Sequence, residues 1–131
     1  VIGTVEGDIH DIGKNLVKMV VSTVGVEVID LGIDVSIDKF IDAIKKYKPQ
    51  LVMISALLTT TLKQMKLTIE EIENKNLRDD VIIFVGGAPV TRAYAMEIKA
   101  DYYTKDVVEL RDLLDENLDK ILKQKSTKKS R

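Results

Sequence analysis

The sequence contains no cysteine and no tryptophan, and it has a single histidine in 131 residues. Without cysteine the chain can form no disulfide, no thiolate metal site and no cysteine-ligated iron–sulfur cluster. Any electron that its chemistry requires must therefore come from another protein. No apolar run approaches the length of a membrane span, and no signal-peptide pattern opens the sequence. We therefore expect a cytoplasmic protein that makes no contact with a membrane.

Length and composition predict one globular domain, with 45% hydrophobic and 31% charged residues, the usual balance for such a fold. The net charge is −1, but the segment 123–131 carries five positive residues and no acidic one. Such a segment is typical of a tail that contacts nucleic acid or an acidic partner, or of a solvated terminus. Because no aromatic residue interleaves with its lysines, we predict a disordered tail after a domain spanning residues 1–122, and no nucleic-acid partner.

Apolar runs alternate with amphipathic segments along the whole chain. Strands are predicted at residues 1–4, 26–30, 51–54, 81–85 and 102–104, and 31–35 is predicted to be a loop. Helices are predicted at residues 14–24, 36–46, 61–74, 91–98 and 106–122. This alternation predicts an α/β fold, with a parallel sheet that is covered by helices on both faces.

The lone histidine lies in the polar stretch after the first predicted strand. His10 follows Asp8 by two residues and precedes Asp11, and glycines at 7 and 13 bracket the group. A neutral imidazole can bind a metal through one ring nitrogen while a carboxylate holds the other N–H, which fixes the tautomer. The alternative is a polar loop whose side chains cap the next helix. Spacing alone leaves both interpretations open.

Three motifs occur in order along the chain: Asp8-x-His10-x-x-Gly13, Ser55-x-Leu57 and Gly86-Gly87. This ordered set closely resembles the cobalamin-binding domain shared by methionine synthase and the corrinoid proteins of methyltransferase systems. The surrounding residues look most like the small corrinoid proteins of methanol, methylamine and O-demethylase systems. They read Gly7-Asp8-Ile9-His10-Asp11-Ile12-Gly13-Lys14-Asn15, Ser55-Ala56-Leu57-Leu58-Thr59-Thr60-Thr61 and Val85-Gly86-Gly87-Ala88-Pro89-Val90. The resemblance extends from Val1 to about Leu122.

The resemblance implies a flavodoxin-like (Rossmann-like) doubly wound sheet of five parallel strands in the order 2-1-3-4-5. In that order the chain reverses direction between strands one and three, and a crevice opens at their carboxyl ends. The loops that leave these two strands contain His10 and the run from Ser55 to Thr61. We therefore expect the two polar motifs to lie side by side.

The resemblance also implies the cofactor, which is cobalamin or a related corrinoid whose own benzimidazole is displaced from cobalt. His10 would then be the lower axial cobalt ligand, Asp8 its hydrogen-bonded partner, and Thr61 the end of a relay to Asp8. Ser55 and Thr59 would hydrogen-bond the nucleotide tail or the corrin edge. The cofactor-contacting residues implied in this way are Gly7, Asp8, Ile9, His10, Asp11, Gly13, Ser55, Leu57, Thr59, Thr61, Gly86, Gly87 and Val107.

Two further expectations concern space around the cofactor. Gly86 and Gly87 are expected to leave room for the nucleotide tail, because glycine permits a close approach. Many relatives carry glycine or another small residue where this chain has Tyr102, so Tyr102 and Tyr103 are expected to line or crowd the tail pocket. Relatives usually begin with a four-helix bundle that caps the corrin, so we expect an upstream region that this sequence does not include.

The function implied by the resemblance is that of a non-catalytic methyl carrier, and no catalytic residue is assigned. Its partners would be a donor methyltransferase, an acceptor methyltransferase that uses tetrahydrofolate or a thiol, and a reductive activator. The alternatives are the cofactor domain of an adenosylcobalamin-dependent mutase and a signalling module, either a cobalamin-sensing regulator or a receiver domain. A receiver needs a phosphoacceptor aspartate after strand three, where this chain has Ser55.

Overall fold

Five parallel strands form one sheet in the computed structural model, which describes the backbone of residues 1–129 and the side chains of residues 1–123. The strands are β1 (Ile2–Val5), β2 (Asp30–Val35), β3 (Leu51–Ser55), β4 (Ile82–Gly86) and β5 (Tyr102–Tyr103). Their order is β2-β1-β3-β4-β5, and all neighbouring pairs are parallel. The expected flavodoxin-like order is therefore confirmed.

Helices cover both faces of this sheet. They are α1 (Ile12–Thr23), α2 (Ile37–Tyr47), α3 (Leu62–Asn74), α4 (Arg92–Glu97) and α5 (Val107–Lys129). Helices α1 and α5 pack on one face, in an apolar cluster with strand residues such as Met53 and Phe84. Helices α2, α3 and α4 bury their apolar stripes on the other face, where Met65 is a core residue. Within the described residues, no helix has both the length and the apolar character needed to span a bilayer.

The second strand differs from its prediction. The apolar run at 26–30 was expected to be the strand, whereas the structure places β2 at Asp30–Val35, the segment that was expected to be a loop. Val26 and Val28 instead pack against the cluster under α1 and α5. The real strand is an irregular sheet edge, with register shifts against β1 and left-handed backbone at Gly32 and Asp34. Its mixed polarity therefore hides it from a search for apolar runs.

The last helix also extends further than expected. The backbone of α5 continues to Lys129, past the end predicted near Leu122. The side chains of residues 124–131, on which the basic tail depends, lie outside the described residues. The domain boundary at 122 and the role of the tail remain predictions.

Candidate functional site

The candidate site lies at the carboxyl end of the sheet, where the loops after β1, β3 and β4 meet. Thr4 of β1 is the register partner of Ser55 of β3, so the two loops leave the sheet side by side. The backbone N–H of Leu57 in the second loop donates to Asp8 Oδ2 in the first at 2.7 Å. The juxtaposition expected from the topology is therefore observed.

Asp8 is the centre of the site, and its side chain is fully buried. Its Oδ1 lies 2.7 Å from His10 Nδ1 and accepts the His10 backbone N–H at 3.1 Å. Its Oδ2 accepts the N–H groups of Leu57 and Leu58 at 2.7 and 3.3 Å. The hydroxyl of Thr61 lies 2.9 Å from the same oxygen, as the expected relay requires. The Asp8 carboxylate thus links His10 in the first loop to Leu57, Leu58 and Thr61 after β3.

These donors control the charge of Asp8. Burial by itself raises the pKa of a carboxyl, because the interior solvates the anion poorly. The hydrogen bonds from the Leu57 backbone, the His10 side chain and backbone, and Thr61 outweigh that effect and lower the pKa of Asp8 to about 2. Asp8 is therefore an anion at neutral pH, held mainly by groups that carry no formal charge.

The ionised Asp8 determines which nitrogen of His10 is available. Because Asp8 Oδ1 can only accept, the neutral imidazole places its proton on Nδ1 and leaves Nε2 with a free lone pair. The His10 side chain is 43% exposed, whereas its partner is fully buried. A carboxylate–histidine pair with this polarity is the arrangement that orients an imidazole for metal ligation.

Two polar residues that sequence reasoning missed hold the loop around His10. Asp34 accepts the N–H of Gly7 at 2.8 Å through Oδ1, and its own N–H donates to the carbonyl of Asp8 at 2.9 Å. Gly7 has a φ of +84°, which favours glycine at this turn. Thr4 is fully buried and donates its hydroxyl to the carbonyl of His10 at 3.0 Å. A threonine inside an apolar strand was the available signal for Thr4.

A cavity of about 280 Å³ opens between the sheet and helices α1 and α5, and His10 is not among the residues that line it. Six of the residues implied by the resemblance line it: Gly13, Ser55, Leu57, Gly86, Gly87 and Val107. Ile9 is 72% exposed in the His10 loop. Asp11 and Thr59 are also exposed, and the structure places neither of them among the residues lining the cavity.

The two glycines after β4 differ in the space around them. Gly86 and Gly87 both line the cavity, but a Cβ on Gly87 would lie 1.9 Å from the carbonyl oxygen of Ala56. Gly87 also has a φ of +129°. A Cβ on Gly86 would meet only the carbonyl of Thr104, at an ordinary 3.5 Å. The close approach of two loops therefore requires glycine at position 87, and its role in leaving room for the nucleotide tail stays a prediction.

The two tyrosines of β5 lie outside the cavity lining. Tyr102 stacks on Phe84, with ring centroids 4.8 Å apart, and Phe84 in turn forms part of the cavity wall. Tyr103 packs on the opposite face of the sheet, where Arg92 lies 5.3 Å from its ring centroid. Tyr102 therefore supports the wall from behind and does not crowd the cavity.

An ion pair that the sequence did not reveal forms another part of this wall. Lys14 lines the cavity and is only 4% exposed, and its Nζ donates to Asp30 Oδ2 at 2.7 Å and to Asn15 Oδ1 at 2.8 Å. Burial raises the pKa of Asp30, but the hydrogen bond and charge of Lys14, with the N–H of Gly32, lower it overall. The pair neutralises a buried charge at the edge of the site.

Residues 1–111 match the family model of the B12 binding domain. The chain belongs to the B12-binding domain family. It is 48% identical over 107 residues to a dimethylamine corrinoid protein of Methanosarcina barkeri, covering 82% of this chain and 50% of that protein. The chain thus spans about half the length of the curated relatives it matches. This match confirms the family that the motifs indicated.

Solved structures agree with this assignment. The Methanosarcina barkeri monomethylamine corrinoid protein superposes with a TM-score of 0.81 at 34% identity, over 86% of this chain and 54% of that one. A chain of the methanol:cobalamin methyltransferase complex of the same organism gives 0.82 at 27% identity, over 90% and 45%. The expected cofactor class, cobalamin or a related corrinoid, is confirmed by the family and by these relatives.

The residues of this B12-binding domain fit such a cofactor. A nitrogen lone pair on His10 suits a metal ion that has one open position, and it lies in a loop beside the cavity. The cavity is mostly apolar, with a few polar groups such as Ser55, as expected for the site of a flat heterocycle. Exposed apolar side chains in the two loops, Ile9 and Leu58, suit a ligand with a broad apolar face.

Proposed function

We propose that this B12-binding domain carries a methyl group on a corrinoid, and that His10 Nε2 is the lower axial ligand of the cobalt. The observation that carries the proposal is the buried, ionised Asp8, which lies 2.7 Å from His10 Nδ1 and directs the free lone pair of the ring outward. The bound corrinoid supplies the metal that accepts a methyl group from one enzyme and yields it to another.

The protein contributes orientation and proton control. Asp8 keeps the proton of His10 on Nδ1, so that Nε2 would be available to the metal as a lone pair. Thr61 and the N–H groups of Leu57 and Leu58 stabilise the Asp8 anion and fix its position. The strength of the hydrogen bond between Asp8 and His10 would set the basicity of the imidazole. Thr61 lies at the far end of this relay, on the other oxygen of Asp8.

We assign the cofactor contacts as follows. Ser55 and Val107 lie in the wall of the cavity that would receive the nucleotide tail, together with Gly13, Leu57, Gly86 and Gly87. Ile9 and Asp11 lie in the exposed loop on either side of His10 and would face the corrin ring, and Gly7 forms the turn that presents this loop. Thr59 is exposed in the neighbouring loop, where it would reach the edge of the ring.

The carrier role implies three partners. A donor methyltransferase and an acceptor methyltransferase, using tetrahydrofolate or a thiol, would each dock over the cobalt in turn. A reductive activator would supply electrons, because the chain has no cysteine of its own. Support comes from the relatives that are methylamine corrinoid proteins and from the similar chain of the methanol:cobalamin methyltransferase complex. We place the protein in the cytoplasm, where such enzymes and reductants are available.

The proposal is tested with the cobalamin-loaded protein, chemically reduced to the Co(I) state that can accept a methyl cation, and an isotopically labelled methyl donor such as dimethylamine. We expect no labelling of the protein alone, because general acid–base or covalent catalysis needs paired groups around the donor. The label should accumulate on the protein when a donor methyltransferase for that amine is added, and the His10→Ala variant should accept much less. Turnover of the donor by the purified chain alone would contradict the carrier role.

A further inference from the structure

A short chain of hydroxyl groups connects the cavity wall to the backbone of His10. Thr4 Oγ1 lies 3.0 Å from the carbonyl oxygen of His10 and 2.9 Å from Ser55 Oγ. Thr4 is fully buried, and Ser55 lines the cavity. The same His10 peptide is held on its other side by Asp8 Oδ1, which accepts the backbone N–H at 3.1 Å. Both backbone polar groups of His10 therefore have an assigned partner.

The direction of the hydroxyl chain follows from counting protons. A carbonyl oxygen can only accept, so Thr4 must use its single hydroxyl proton on His10. The bond between Thr4 and Ser55 then needs its proton from Ser55. The chain runs from Ser55 to Thr4 to the His10 carbonyl, and Ser55 faces the cavity with its lone pairs alone.

We propose that Thr4 is a positioning residue that couples the filling of this cavity to the hold on His10. The inference rests on the proposed function, in which the benzimidazole of the corrinoid enters the cavity. A benzimidazole nitrogen without a proton is an acceptor, so it takes the Ser55 proton. The Thr4 and Ser55 oxygens, 2.9 Å apart, would then face each other with no proton between them, so Thr4 turns its own hydroxyl to Ser55 and the His10 carbonyl loses its partner.

This reversal needs only rotation of two hydroxyl groups. Each proton stays on its own oxygen, and two hydrogen bonds exist in the chain both before and after. The difference lies at His10, which is then held by Asp8 Oδ1 alone. That oxygen lies 2.7 Å from the ring Nδ1 and 3.1 Å from the backbone nitrogen of His10. The loop that carries His10 is therefore held by one hydrogen bond fewer when the tail cavity is occupied than when it is empty.

The single histidine of the chain makes the test specific. Histidine labelled with ¹³C at its carbonyl gives one labelled backbone carbonyl, at His10, whose chemical shift moves upfield when a hydrogen bond is lost. We compare saturating methylcobalamin with saturating methylcobinamide, which has the same corrin ring but no nucleotide tail. In the wild type the cobalamin complex should show the His10 carbonyl upfield of its position in the cobinamide complex.

Variants of the hydroxyl chain should abolish this difference between the two complexes. Thr4→Val should leave the carbonyl upfield in both complexes, whereas Ser55→Ala should leave it hydrogen-bonded in both. Thr4→Ser keeps the hydroxyl and should restore the wild-type difference. Thr68→Val is the matched control, because Thr68 is also buried but bonds to Gln64 within α3. It should behave as the wild type does.

The coupling is overturned if the wild type shows no difference between the two complexes, or if Thr4→Val or Ser55→Ala retains it. Failure of Thr4→Ser to restore the difference also contradicts the role of the hydroxyl. If neither corrinoid binds the wild-type protein, the proposed function fails, and this inference fails with it. If both bind through His10 without the expected shifts, only the coupling is wrong.

Discussion

Asp8 and Asp30 are two carboxylates near the ends of neighbouring strands, and both have a lowered pKa, but they differ in what holds them. Asp30 pairs at 2.7 Å with the ammonium of Lys14, which is almost fully buried. Asp8 has no cationic partner of this kind and is held by two backbone N–H groups of the second loop, by Thr61 and by His10. One carboxylate is neutralised by a permanent charge, and the other is stabilised by dipoles.

The difference explains why only one of them can serve a metal site. The charge of Asp30 is balanced inside the protein, so the pair contributes to the wall of the cavity and to the attachment of α1 beside β2. The charge of Asp8 is kept without a fixed cation, so its strongest variable partner is the His10 ring. If His10 binds the cobalt as proposed, a change at the metal would be felt at Asp8, whereas the charge of Asp30 would stay balanced by Lys14.

The largest expected effect is on stability, from Asp30→Asn. Removing one partner of a buried pair leaves Lys14 without a counter-ion and should lower the free energy of unfolding by about 3 kcal/mol. Urea denaturation measures the change. Lys18→Met is the matched control, because Lys18 reaches the same Asp30 oxygen at 3.5 Å but is 46% exposed. It should cost no more than about 0.5 kcal/mol. Equal losses from the two variants would contradict the contrast between buried and exposed partners.

Asp8 should have a smaller effect, which is to make the free energy of unfolding depend on pH. Its pKa is lowered from 3.8 to about 2 on folding, so the anion stabilises the folded state above pH 4. That contribution, about 2 kcal/mol, is lost as the pH falls through 2. Urea unfolding of the wild type and of Asp8→Asn, compared across this acid range, isolates it. The gap between the two proteins should shrink as the pH falls, and a constant gap would show that Asp8 has an ordinary pKa in the folded state.

The smallest stability effect should come from the far end of the relay. Thr61→Val removes the hydroxyl that lies 2.9 Å from Asp8 Oδ2, while the N–H groups of Leu57 and Leu58 remain on that oxygen. We expect a loss of about 1 kcal/mol, largely recovered in Thr61→Ser. Thr59→Val, at an exposed position in the same turn, should change stability little. A loss at Thr59 equal to that at Thr61 would remove Thr61 from the relay.

The part of the site that the sequence predicted is the part fixed by topology and motif spacing. His10, Asp8 and Thr61 come together because β1 and β3 are adjacent and parallel, and a strand order is enough to predict that. The alternation of apolar runs likewise predicted the sheet and its helices.

The features that the sequence did not predict depend on single contacts between distant segments. The position of β2 was predicted wrongly because this irregular edge strand contains polar residues, whereas the apolar run before it packs under helices instead of forming the strand. The Lys14–Asp30 pair joins residues that are far apart along the chain, and charges of this kind are usually exposed. Gly87 does line the cavity, but its close approach to Ala56 depends on how two loops pack against each other, which no local sequence pattern predicts.

The most direct test of the account is whether His10 binds the cobalt. The cobalamin-loaded protein, reduced to Co(II), is examined by electron paramagnetic resonance after growth with natural or with ¹⁵N-labelled histidine. Because the chain has one histidine, the account predicts that the nitrogen splitting changes from triplets to doublets on labelling and disappears in His10→Ala. Asp42→Asn, a control at an exposed carboxylate on α2 away from the site, should keep the wild-type spectrum. A splitting that is unaffected by the label would contradict the account, because the lower ligand would then be something other than His10.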